Sequence, residues 1–333
     1  MMTTGMALAR AQVDSMDRAW PTGRRMKIVN VLPLETIAND SWVLSADPQT
    51  GAGIVALDAI IDGQRVPVMR RTPPDALPTR KVSLYSSFTL APYSNRIRAA
   101  RFTFSGREYN LRPNTPEGTA QHGDVRSRRW PVINSGAALT GSLDSREFAD
   151  ANYPFAYTVG IEYRLYGPDV MTALELRNVG DKPMPAGGGF HPYFARSFGA
   201  ACDATLQFHA EGVYFTGPDL MPTAGMQSIP TSLSFSDGRS IGFDHFDHAY
   251  GGWDGHATLS WPGSPYRLTM TANPVFSHLV VFTAPDGSIA IEPVSHATDA
   301  INLHERGVTG TGFTVLQPGE TLRGEIRYRF ERS

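Results

Sequence analysis

Tyr157-Thr158-Val159-Gly160-Ile161-Glu162-Tyr163-Arg164-Leu165 is the stretch on which the fold is decided. Its odd positions are Tyr, Val, Ile, Tyr and Leu, and its even positions are Thr, Gly, Glu and Arg. Successive side chains of a β-strand point to opposite faces, so a period of two means one face on a core and the other toward water. The C-terminus repeats the pattern: Leu322, Ile326, Tyr328 and Phe330 alternate with Arg323, Glu325, Arg327 and Arg329. Phe102 and Phe104, then Tyr109 and Leu111, flank Ser105-Gly106 as a hairpin. Val280-Val281-Phe282 pairs with Ile289-Ala290-Ile291 across Pro285-Asp286-Gly287 in the same way. No segment of a dozen residues carries a 3.6-residue period, and 25 prolines and 32 glycines interrupt the candidates. Only short helical turns are expected, as at residues 145–151. Strands at short intervals with turn chemistry between them imply an all-β fold, a large antiparallel β-sandwich or barrel. A propeller would show a repeat of roughly 40–50 residues, and none is visible.

The 333 residues fit one all-β unit. Residues 1–25 read as a loose tail and residues 26–333 as a single β-sandwich domain, with Met26 itself a candidate start. The first 25 residues mix Arg10, Asp14, Asp17, Arg18 and Arg24 with no apolar run, which argues against a secretory signal. No stretch approaches the roughly 18 apolar residues of a membrane span. A net charge of −2 gives no footprint for nucleic acid or an anionic membrane. Cys202 is the only cysteine, so no intrachain disulfide can form and no thiolate cluster can hold a metal. In Ala200-Ala201-Cys202 it reads as a small buried hydrophobe. A cytoplasmic protein is expected, monomer or homodimer, with a small molecule as its partner.

Four separated strings carry the chemistry: Asn95-Arg96-Ile97, His122-Gly123, His191-Pro192-Tyr193-Phe194 and Glu292-Pro293. Together they supply an arginine, two histidines and a carboxylate, a set able to hold a polyol and move protons near neutral pH. Arg96 can fork onto vicinal hydroxyls or a carboxylate, although an arginine at a strand entrance is also an ordinary ion-pair residue. Gly123 lets the chain turn sharply and leaves His122 accessible to a ligand; a local hydrogen bond is the plainer use of that ring. His191 follows Gly187-Gly188-Gly189-Phe190 and precedes Pro192 and two aromatics, a rigid niche whose rings suit the C–H faces of sugars. The triple glycine lacks the following Lys and helix of a phosphate cradle. Glu292 ends the apolar run Ile289-Ala290-Ile291, where a carboxylate is costly unless paired or functional. In Phe243-Asp244-His245-Phe246-Asp247-His248 the His-x-x-His spacing suggests a metal, but no third ligand supports it. An aspartate there, Asp247 ahead of Asp244, is the better candidate to bind hydroxyls, and the duplication leaves the choice between the two open. Gly310-Thr311-Gly312 lacks the strand–helix setting of a dinucleotide site, and no G-x-S-x-G elbow is present.

In this order the strings resemble the aldose 1-epimerase, galactose-mutarotase-like family. Leu90-Ala91-Pro92-Tyr93-Ser94-Asn95-Arg96-Ile97, the hairpin at Ser105-Gly106 and His122-Gly123 carry the resemblance in the first half. Gly189-Phe190-His191-Pro192-Tyr193-Phe194, Asp247 with Gly252-Trp253-Asp254-Gly255, Glu292-Pro293 with Asp299-Ala300 and Asn302, and Gln317-Pro318-Gly319-Glu320 carry it in the second. It runs from about residue 35 to the C-terminus. Family members often carry Asn after His-Pro-Tyr-Phe, where this chain has Ala195.

The resemblance implies a large antiparallel β-sandwich with a sugar site on a sheet face, and a mutarotase that interconverts the α and β anomers of a free aldose without a cofactor. It implies Glu292 as general base on the anomeric hydroxyl and His191 as general acid on the ring oxygen. His122 helps polarise that oxygen, and Arg96, Asn95 and Asp247 bind the sugar. A hexose-6-phosphate mutarotase is the first rival, with Arg126, Arg128 and Arg129 as phosphate ligands. Those three are read as a strand-like run with Arg128 and Arg129 on opposite faces, dispensable for a free aldose. A non-catalytic sugar-binding or regulatory protein is the other rival; keeping both an acid and a base argues against it.

Overall fold

The computed structural model describes residues 33–198 and 203–332. The expected tail, its boundary at Met26 and Cys202 lie outside the described residues. Strand Tyr157–Tyr166 buries Tyr157, Val159, Ile161, Tyr163 and Leu165 and leaves the residues between them at least partly open to solvent. It pairs antiparallel with Ala138–Asp144 on one side and Asp169–Asn178 on the other, and the latter pairs with Thr321–Arg332. The register sets Ile161 opposite Leu174 and Thr172 opposite Ile326. Cross-strand partners share a face, so the apolar face runs unbroken through the middle of a nine-stranded sheet.

A seven-stranded sheet covers that face. Its order is Gly212–Tyr214, Asp247–Gly251, His278–Thr283, Ile289–Val294, Gly189–Phe190 and Thr89–Leu90, with Tyr193–Phe194 pairing beside it on Ile289–Val294. Leu279, Val281, Ile289 and Ile291 of this sheet join Ile161, Leu174 and Ile326 in one core. The rings of Phe194 and Tyr328 meet across it at 6.0 Å. Gly324 stands where a Cβ would lie 2.2 Å from the Phe276 ring, so the absence of a side chain lets that ring seat on the larger sheet. The fold is the expected β-sandwich, with α-helices limited to Ala76–Thr79 and Ala300–Glu305 among the described residues.

Alternation then determines what the outer face of the smaller sheet offers. In Ile289–Val294 the isoleucines turn to the sandwich core, whereas Ala290 and Val294 join a second apolar cluster with Phe88, Tyr193 and Val280. Glu292 lies in phase with Ala290 and Val294 and opposite Val280. Asp247, opposite Phe282, projects from the same face two strands away.

Both hairpins form as expected, with Phe102 opposite Tyr109 and Val281 opposite Ile291. A 3-10 turn occupies Ser145–Glu147, and the Asp144 carboxylate accepts a hydrogen bond from its Arg146 N–H. The expected strand at residues 126–129 is instead a turn, closed by the Arg128 N–H donating to the Val125 carbonyl at 3.1 Å. The Arg128 guanidinium fixes it by bonding Asp124 and Asp150, each at 2.8 Å. Face alternation therefore does not govern the three arginines.

Candidate active site

Glu292, His191, His122, Arg96, Asn95 and Asp247, drawn from five separate strands and turns, line one cavity of about 180 Å³. Antiparallel pairing of Arg96–Ile97 with Ala120–Gln121 sets Arg96 opposite Gln121 and brings the following residue, His122, alongside. The His122 N–H donates to the Asn95 carbonyl at 2.8 Å. Both residues adopt positive φ, 51° at Asn95 and 63° at His122, so two side chains are aimed by unusual backbone rather than by strand alternation. Gly123 follows at φ 72°, and a Cβ there would sit 1.8 Å from the Ala91 carbonyl oxygen.

His191 continues the chain from Gly189–Phe190, and its N–H donates to the Phe88 carbonyl at 2.9 Å. The triple glycine before it permits close packing: Cβ atoms would meet His296 at residue 187, the Leu90 carbonyl at 188 and the Pro293 carbonyl at 189. The imidazole packs against the rings of Phe88 and Tyr193, each 4.6 Å away. Its Nε2 is 3.2 Å from Glu292 Oε1. His122 meets the His191 ring edge-on at 5.3 Å. The Nδ1 atoms of His122 and His191 and the Nε of Arg96 are buried without a hydrogen-bond partner.

Glu292 and His191 are 3% and 5% exposed, so neither carries its charge in water. Burial, then the nearby Asp247 carboxylate, holds the Glu292 carboxyl well above the usual range, against the pull of Arg96. Burial and the charges of Arg70, Arg126 and Arg96 hold His191 well below the ordinary imidazole value. His122 is lowered too, by burial and by Arg126, His191 and Arg96. Burial raises Asp247, with Arg96 and His248 opposing. Both shifts favour the neutral forms, a protonated carboxyl facing a neutral imidazole across 3.2 Å.

Asp244 is exposed and ion-paired with Arg239, outside the cavity, which leaves Asp247 as the aspartate at the site. His245 is exposed, and among the described residues no three His, Cys, Asp or Glu side chains gather in metal-binding fashion. The cavity also contains Phe88, Gln121 and Phe282, which the sequence reading did not single out, and Arg126, which it named only as a phosphate ligand of the rival reading. For Phe282 a signal existed, because alternation in His278–Thr283 opposes it to the core residue Val281. Phe88 follows Ser86-Ser87 with no pattern to mark it. The arginine cluster divides: Arg126 lines the cavity, Arg128 is tied to Asp124 and Asp150, and Arg129 is exposed.

The sequence model of a family described as aldose 1-epimerase matches residues 37–329. YphB of Escherichia coli K12, described as an uncharacterized protein, is 26% identical over 256 residues, 74% of this chain and 84% of that protein. An aldose 1-epimerase of the same organism is 28% identical over 161 residues, 46% of this chain and 45% of its own. The crystal structure of a galactose mutarotase-like protein from Clostridium acetobutylicum superposes with a TM-score of 0.79 at 16% identity, covering 90% of this chain and 95% of that one.

Proposed function

The chain belongs to the aldose 1-epimerase family, and from that premise we propose that it is a mutarotase, interconverting the α and β anomers of an aldose by acid–base ring opening and closure. The observation that carries this reading is the 3.2 Å contact between Glu292 Oε1 and His191 Nε2. The anomeric hydroxyl and the ring oxygen are bonded to the same carbon, so a base for one and an acid for the other must lie side by side. Transfer of the shared proton to His191 gives the working pair, a carboxylate and an imidazolium.

Glu292 takes the proton of the C1 hydroxyl while the bond from C1 to the ring oxygen breaks. His191 protonates that oxygen as it takes the electron pair. The free aldehyde rotates about C1–C2. Closure reverses the roles: His191 takes the proton of the C5 hydroxyl and Glu292 returns one to the carbonyl oxygen. His122, edge-on to His191, supports the developing charge on the ring oxygen, and Arg96, Asn95 and Asp247 hold hydroxyls. The Phe88 and Phe282 rings beside these polar groups suit the mixed C–H and hydroxyl surface of a sugar.

Polarimetry or NMR saturation exchange over a panel of aldoses tests the proposal. We expect catalysis above the spontaneous rate, and Glu292→Gln to lower it by at least about 10²-fold because an amide cannot accept the proton. Near-normal turnover by a folded E292Q protein contradicts the assignment. Sugar binding with no catalysis by the unaltered protein makes it a binding protein on this fold.

A further inference from the structure

Arg126 is a cavity-lining cation to which the chemistry above gives no task. Among the described residues no carboxylate lies within ion-pair distance of its guanidinium, which sits 5.8 Å from the Phe88 ring centre. Burial works against its charge. A half-buried guanidinium without an ion-pair partner is disfavoured until an anion arrives.

We propose that Arg126 receives a carboxylate carried on C6 of the sugar, so that the preferred substrate is a hexuronic acid; this rests on the mutarotase reading above. The place of the charge supports C6. The Arg126 guanidinium lies against Phe88, the ring that packs on both His122 and His191, the histidines assigned to the ring oxygen, at 5.9 and 4.6 Å. The ring oxygen joins C1 to C5, and C5 carries C6, so a group on C6 falls on the histidine side of the ring.

Apart from Arg96, assigned above to hydroxyls, Arg126 is the cavity arginine without an ion-pair partner among the described residues, and a single such cation supports a carboxylate over a phosphate. Arg128 is spent on Asp124 and Asp150, and Arg129 is exposed and does not line the cavity. Arg70 donates to the Ser83 and Tyr85 carbonyls and to Asp286. One guanidinium matches one carboxylate through two parallel hydrogen bonds, whereas a phosphate monoester brings about −1.5 to −2 charges at pH 7.

The test compares kcat/KM, corrected for spontaneous mutarotation, for galacturonate and glucuronate, for galactose and glucose, and for the two hexose 6-phosphates. We expect each uronate to exceed its neutral counterpart by at least about tenfold, the gain expected of a charge-assisted pair, and to exceed the phosphate. Arg126→Met brings the uronate-to-neutral ratio to about one, chiefly through KM, and Arg126→Lys leaves part of the preference. Arg129→Met leaves the ratio unchanged. Neutral sugars turned over as well as uronates, preference for a 6-phosphate, or a ratio that survives R126M each overturn the inference while the mutarotase reading stands. If none of the six sugars is turned over, both fall.

Discussion

His191 is held on every side its work requires. Phe88 and Tyr193 pack on the ring from two adjoining directions, Glu292 meets Nε2, and the Phe88 carbonyl accepts its backbone N–H. Behind Tyr193 lies the Arg70 guanidinium, 3.3 Å from the ring centre and anchored at 3.1 Å to Asp286. The imidazole thus has one orientation, and its charge is kept low until a partner shares the proton. An acid matters chiefly in the transition state, so His191→Asn is expected to lower kcat by at least about 10²-fold while sugar affinity changes only several-fold. Stopped-flow polarimetry with a parallel calorimetric titration separates the two. Lost affinity with normal turnover of the sugar still bound makes His191 a binding residue.

At the scale of elements, the site divides between a sheet and the loops laid over it. Glu292 and Asp247 project from strands and inherit their direction from the pleat. Asn95 and His122 instead sit at positive φ in connections held by single contacts, such as the Asp124 N–H to the Ala91 carbonyl at 2.8 Å. Gly123 is the residue that lets this loop touch the segment before Asn95. Gly123→Ala places a methyl group into the Ala91 carbonyl at a backbone conformation L residues resist. We expect a loss of about 2 kcal/mol or more in urea unfolding and at least a tenfold fall in kcat/KM as His122 is displaced. Unchanged activity in that variant would mean that His122 does not depend on the loop.

Over the whole molecule, buried histidines tie stability to pH. His122, His191, His278 and His296 are all lowered by burial, His278 to about 3. The unfolded chain then binds more protons than the folded one between those values and about 6.5. Their contribution is complete above that value and is lost as pH falls through the window. Glu292, raised by burial, acts with the opposite sign: its contribution is present at low pH and is lost as pH rises toward its folded value. His278 isolates the histidine effect, being 1% exposed, outside the cavity and bonded at Nδ1 to Ser277 at 2.9 Å. Between pH 7.5 and 5.5 we expect His278→Gln to lose ~1.4 kcal/mol less stability than the unaltered protein, read from urea unfolding at both pH values. Equal losses would mean that His278 titrates in the fold as it does in the unfolded chain.

What the sequence determined by itself was whatever depends on local order. The period of two at residues 157–165 and 322–330 specified strands and their buried faces, because pleating fixes side-chain direction residue by residue. Gly-bearing turns located both hairpins, and the ordered strings around Arg96, His122, His191 and Glu292 pointed to the family. The tertiary structure alone decided which residues meet. Glu292 and His191, a hundred positions apart, come to 3.2 Å because two strands pair across the smaller sheet. It also chose Asp247 over Asp244, since Arg239 holds the latter outside the cavity. And it separated three neighbouring arginines into a cavity cation, a turn clamp and a solvated side chain, because long-range partners at Asp150 and Phe88 settle where each guanidinium goes.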